Sequence, residues 1–209
     1  MRDPFTPAVL GARTQIGRGS RLTWVGVVGL WLSLVLFGMF ALQRHESTPS
    51  SQEPAPSQWP SASHVLRAPH RLELVMLAHP YCPCTRASLA ELSRLVTRLP
   101  DRMGVHVLFI RPEGVEVGWE NTDLVARARQ IPGAVVDLDE GGREAGLFGV
   151  RTSGEALLYG EDGRLLFHGG ITPSRGHEGD NVGSQRIVSL VTTGSTDRAE
   201  SAVFGCGLL

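Results

Sequence analysis

From Leu22 to Leu42 the chain reads LTWVGVVGLWLSLVLFGMFAL, without one Asp, Glu, Lys or Arg. A run of about 20 apolar residues is what a single helix needs to cross the hydrocarbon core of a bilayer, where only a helix satisfies its own backbone. The run exceeds the 7–15 residues or so of a cleavable signal's apolar core, and no small-x-small site follows it, so an uncleaved anchor is expected. Ahead of it, residues 1–21 are rich in Pro, Gly and Arg, with Arg2, Arg13, Arg18 and Arg21 against the single acid Asp3. This basic arm outweighs Arg44 on the far side. The positive-inside rule therefore puts the N-terminus in the cytoplasm, the span in the inner (cytoplasmic) membrane, and the remainder in the periplasm or outside the cell. That compartment permits disulfides.

Residues 43–63 are a Ser/Pro/Gln-rich stretch, too polar and proline-broken to form a core of its own, and are expected to act as a tether. Residues 64–209 are the length of one ordinary domain. The net charge of -1 and pI near 6.7 show no basic excess, which argues against nucleic acid as a partner. The three cysteines are too few for a disulfide scaffold and lack the paired spacing of a structural zinc site.

Within the domain the hydrophobic period alternates between two and 3.6. Strand-like runs are expected at 71–78, 105–110, 134–138, 156–159 and 164–168, the last two flanking the hairpin signal Glu161-Asp162-Gly163. Helical stripes are expected at 88–99, 121–130, 182–191 and, weakened by glycines, 139–148. The order predicts an α/β fold: a mixed sheet flanked by helices, parallel where strands are joined by crossovers and antiparallel at the hairpin. The tail, residues 192–209, is Ser/Thr/Gly-rich and carries no expected element.

The chemistry is expected where the first strand turns into the first helix, at His79-Pro80-Tyr81-Cys82-Pro83-Cys84-Thr85-Arg86. A thiolate at a helix N-terminus is favoured by unsatisfied N–H groups and the positive end of the dipole. Cys82, nearer the N-terminus and expected to be the more exposed, is read as the attacking thiolate and Cys84 as the resolving thiol. Two cysteines one residue apart close a small, strained ring, and such disulfides are readily reduced. The partners are then protein thiols or disulfides, with no cofactor. Thr85 and Ser88 read as helix-start caps. His79 is either a tuning group for the thiolate or a structural histidine. Cys206 has three open roles: a third, resolving thiol, a long-range staple to Cys82 or Cys84, or a bystander. An alternative chemistry is copper handling, in which Cys82 and Cys84, with Cys206 or one of His79, His168 and His177, hold Cu(I). A third is an anchored interaction module without redox activity.

On its motifs the chain resembles the thioredoxin-like superfamily, and most closely its membrane-anchored TlpA/ResA-like members. The resemblance covers about Arg71 to Val191. It rests on the cysteine motif after the first strand, on Val135-Val136-Asp137 before a short helix, and on Gly149-Val150 followed by Leu157-Leu158-Tyr159 and Asp162-Gly163-Arg164. The proline-bracketed CPC and the loop Gly169 to Asn181 also resemble the RedB-like group. The resemblance implies that this loop neighbours the cysteines, bringing in Arg175, His177, Glu178 and Asp180; the bland reading is a surface connection capping the last helix. Two departures stand out. The family's CxxC is replaced by Cys82-Pro83-Cys84, with Thr85 at the usual second position, and the cis-proline that the family sets opposite the cysteines falls on Gly154.

Overall fold

The structure, a computed structural model, describes residues 18–208; most of the expected basic arm lies outside them. The chain forms two compact units, divided after Arg44. The first is dominated by helix α1 (Arg18–Ser47), which is long and apolar enough over Ser20–Ser47 to cross a membrane, and no part of that stretch is buried within the protein. It runs beyond both ends of the 22–42 span because helix formation does not stop where hydropathy falls.

The second unit is built on one six-stranded sheet. Its elements follow as β1 (Leu72–Ala78), α2 (Pro83–Arg98), β2 (Met103–Arg111), α3 (Asp123–Ala128), β3 (Ala134–Glu140), α4 (Arg143–Phe148), β4 (Glu155–Tyr159), β5 (Leu165–Gly170), α5 (Val182–Thr193) and β6 (Glu200–Ser201). The strand order is β3-β2-β1-β4-β5-β6. β1, β2 and β3 are parallel, β4 is antiparallel to β1 and to β5, and β6 is parallel to β5. This is the mixed sheet expected from the alternating periods, and its arrangement is thioredoxin-like.

Central strand β1 shows why the residues sort as they do. Alternate side chains leave a strand on opposite faces. Leu74, Met76 and Ala78 enter a core shared with Leu89, Leu92 and Leu95 of α2 and Ile187 of α5. Val75 and Leu77 enter a second core on the other face, with Phe148, Leu157 and Tyr159. With both faces covered, β1 ends as a rigid platform at Ala78, directly before the cysteine turn.

Two expectations fail. The stretch expected as a free tether instead lies along the domain: the Ser50 N–H donates to Val203 O (2.8 Å), Trp59 N–H to Gly163 O (2.8 Å) and Leu165 N–H to Ser57 O (2.9 Å). Trp59 packs edge-on against Phe148 and Tyr159, with ring centroids 5.2 and 5.1 Å away. Proline-rich chain cannot build a core, but it can cover the open side of one built by others. The tail, in turn, is structured. It adds β6 to the sheet edge, buries Val203 and Leu208, and forms an antiparallel bridge between Gly207 and Thr152.

Candidate active site

Helix α2 begins one residue after Cys82. Cys82 is its N-cap in extended conformation, and Pro83 occupies the first turn, where its missing N–H costs nothing. Contrary to the capping expectation, no side chain caps this helix. Thr85 is fully buried; its Oγ1 donates to His79 O (3.2 Å) and lies 2.7 Å from Ser153 Oγ. Ser88 Oγ turns back to Cys84 O (3.4 Å). With no side-chain oxygen at the cap, the Cys84 and Thr85 N–H groups act on the Cys82 sulfur, the latter while also donating to Cys82 O (3.0 Å).

The expected exposure of Cys82 is wrong. Cys82 is 2% exposed, Cys84 is half-buried, and the exposed cysteine is Cys206. Cys82 Sγ and Cys206 Sγ are 2.8 Å apart, and the three cysteine sulfurs lie within 4.8 Å of one another. All three are free thiols. The tail brings Cys206 there beside the segment that leads into β4, through the bridge of Gly207 to Thr152. The Ser153 N–H donates to Cys206 O (2.8 Å) and the Leu208 N–H to Arg151 O (2.9 Å). On the other side of Cys206, Arg175 and Ser50 hold Gly205 O, with Ser50 Oγ at 2.8 Å. Arg175 also donates to Ser50 Oγ (2.9 Å).

These contacts separate the three thiols chemically. Burial pushes the Cys82 thiol up from 9.0, but hydrogen bonds from the Cys206 side chain and from the Cys206, Thr85 and Cys84 N–H groups outweigh it, so the net shift is downward. Cys206 is pushed up to about 12, by burial first and then by serving as donor to Cys82. Burial, followed by the charge of Cys82, raises Cys84, while Arg175 opposes both increases. The first proton to leave the cluster is therefore that of Cys82, and Cys206 keeps its proton aimed at it.

The remaining candidate residues sit apart from the sulfurs. His79 accepts the Tyr81 N–H on Nδ1 (3.1 Å) and packs its ring against Tyr81 and Trp119; burial lowers its pKa. His177 bonds within its own turn to Arg175 O (2.8 Å) and approaches Glu46. Glu178 pairs with Arg94, and Asp180 lies beside it on the surface. His168 lies between Glu155 (3.7 Å) and Glu200 (3.6 Å). Asn181 caps α5, accepting the Ser184 N–H (2.7 Å). Of the loop residues, Arg175 is the one that acts on the cysteines.

Gly154 takes a backbone that favours glycine (φ +87°), and a Cβ there would come within 2.4 Å of Ser88 Oγ. No described peptide bond is cis. Two residues of the site carry no local signal in the sequence: Ser50, in a stretch read as linker, and Ser153, which ties His79 N–H (2.8 Å), Thr85 and the tail together. Ser153 adjoins Gly154, the position on which the family's cis-proline falls.

No protein-family model matches the chain, and no curated relative matches it significantly. Among solved structures, an uncharacterized conserved protein from Geobacillus kaustophilus matches 78% of this chain and 92% of its own with a TM-score of 0.55 and 16% identity. A hypothetical protein from Sinorhizobium meliloti 1021 matches 77% of this chain and 93% of its own, again at 0.55, with 15% identity. Both share the fold. A more distant likeness, TM-score 0.41 and 15% identity over 60% of this chain and 83% of the other, is to a secreted Mycobacterium tuberculosis disulfide oxidoreductase homologous to E. coli DsbE.

Proposed function

We propose that this thioredoxin-like chain is a membrane-anchored thiol–disulfide redox protein, its domain facing the periplasm or cell exterior, with Cys82 and Cys206 as the redox couple. The observation that carries this is the 2.8 Å approach of Cys206 Sγ to a Cys82 sulfur whose thiolate is stabilised. Thiol exchange needs a thiolate and an accessible second sulfur in line with it, and the cluster supplies both. When Cys82 and Cys206 join, Cys206 gives up its proton and two electrons pass to the disulfide of a partner protein; the reverse step oxidises a partner dithiol. Cys84, the other half of the Cys-Pro-Cys motif, is a third thiol able to exchange with Cys82. The anchor is α1, and the arginines before it support a cytoplasmic N-terminus.

Titration of the full-length protein in detergent against glutathione redox buffers tests this. A two-electron transition lost in Cys82→Ser is expected. Thiols that all stay free across the oxidising range would overturn the reading in favour of an interaction module.

The same geometry favours one second reading. Three thiol sulfurs within 4.8 Å can converge on one ion at bond lengths of about 2.3 Å, and a thiolate set suits Cu(I). Arg175 would offset part of the negative charge. One Cu(I) per reduced chain, held against a chromophoric chelator and lost in Cys84→Ser, would support it; transfer of all the copper to the chelator would exclude it.

A further inference from the structure

Resting on the Cys82–Cys206 couple proposed above, we infer that, in the oxidised protein, Cys206 in the C-terminal tail is the sulfur a partner thiolate attacks and Cys82 is the buried leaving group.

Access decides which sulfur reacts. A thiolate breaks a disulfide by approaching one sulfur along the S–S axis, from the side opposite the leaving sulfur. For attack on Cys82 that approach comes from inside the fold, where Cys82 is 2% exposed and Thr85 and Ser153 are fully buried. For attack on Cys206 it comes from solvent. Cys206 is exposed, and its neighbour Gly207 is exposed and has no side chain to shield it.

The tail is built to present this sulfur. Gly205 is pinned through its carbonyl by Arg175 and Ser50, Cys206 by the Ser153 N–H, and Leu208 by Arg151 O and by burial in the second core. Gly205 has no substitute at that approach: a Cβ would stand 2.0 Å from Ser153 O. The tail holds Cys206 over Cys82 from both sides, and Cys206 remains the exposed residue of the pair.

A partner thiolate attacks Cys206 Sγ; the partner–Cys206 bond forms, the Cys82–Cys206 bond breaks, and the electron pair leaves on Cys82. The partner's second thiolate then attacks the partner sulfur of the mixed disulfide. The partner disulfide forms, and Cys206 leaves and takes a proton. The partner dithiol has lost two electrons and two protons; the protein disulfide has become the Cys82 thiolate and the Cys206 thiol, and the second proton goes to solvent.

The test uses oxidised full-length protein in detergent, wild type and Cys84→Ser, mixed with limiting glutathione, quenched with acid after short times, alkylated with N-ethylmaleimide and digested with trypsin. Cleavage after Arg71, Arg86 and Arg198 puts Cys82 and Cys206 on different peptides. The expected first adduct is glutathione on Cys206 with maleimide on Cys82, at least about tenfold over the reverse arrangement. Equal or greater glutathionylation of Cys82 at the earliest times overturns the inference while leaving the redox couple intact. Starting protein without a Cys82–Cys206 disulfide fails the couple itself. Reading wild type alongside Cys84→Ser keeps the answer independent of whether that variant folds.

Discussion

Replacing Gly205 by alanine tests whether the seating of the tail controls the chemistry. The added Cβ would lie 2.0 Å from Ser153 O and 3.0 Å from Thr152 Cγ2. The first contact is with backbone, which cannot rotate away, so the tail must move. In the dithiol form it is free to do so, giving up hydrogen bonds such as Ser153 N–H to Cys206 O. In the disulfide form Cys206 is tied to Cys82 and the clash is retained. Overpacking of this kind costs about 1–3 kcal/mol. Borne by the oxidised state alone, and converted at 30 mV per 1.4 kcal/mol for two electrons, it raises the reduction potential by about 20–65 mV. Glutathione titration with quantitative alkylation reads this directly. Gly146→Ala is the control, because no atom lies within 4 Å of the Cβ it would add. A Gly205→Ala potential within about 10 mV of wild type would refute the reasoning, since the couple would then be indifferent to the tail.

Arg175→Gln removes the positive charge that opposes the rise of Cys84 and Cys206; alkylation of Cys84 at pH 8 should slow, as measured by mass spectrometry of the 72–86 peptide. His168 has its pKa raised above 6.5, chiefly by the Glu155 carboxylate, 3.7 Å from its Nδ1. A raised histidine contributes stability that is complete below its unfolded value and is lost as pH rises through the folded one. Urea midpoints of wild type should therefore fall as pH rises from 6.5, and His168→Gln should lack that step. Leu92, fully buried where α2 meets the sheet, should cost about 2–5 kcal/mol on truncation to alanine, seen as a lower urea midpoint at unchanged slope.

The parts of this molecule that are legible in its sequence are those where local pattern and long-range packing agree. Leu74, Met76 and Ala78 alternate with Val75 and Leu77 because the strand between them divides two cores, and Leu89, Leu92 and Leu95 repeat at helical spacing because α2 covers one of them. Glu161-Asp162-Gly163 marks the hairpin by its own turn chemistry. The cysteine turn is visible for the same reason, as a motif between a strand and a helix.

What is not legible depends on residues far apart in the chain. Nothing near Cys206 indicates that Gly207 will bridge to Thr152, because a single strand pairing of this kind leaves no period. The stretch around Ser50 and Trp59 has the composition of a tether, and its docking depends on edges that other segments leave open. The burial of Cys82 belongs here too, because it is the distant tail that sets Cys206 against it. Gly205 is the clearest case, a glycine among several in a polar tail whose necessity appears only beside Ser153 O.

The pairing of Cys82 with Cys206 is tested most directly by disulfide mapping of the oxidised full-length protein. Non-reducing tryptic digestion should yield the 72–86 and 199–209 peptides joined by one disulfide, with Cys84 alkylated as a free thiol. A disulfide closed within the 72–86 peptide, with Cys206 free, would contradict it.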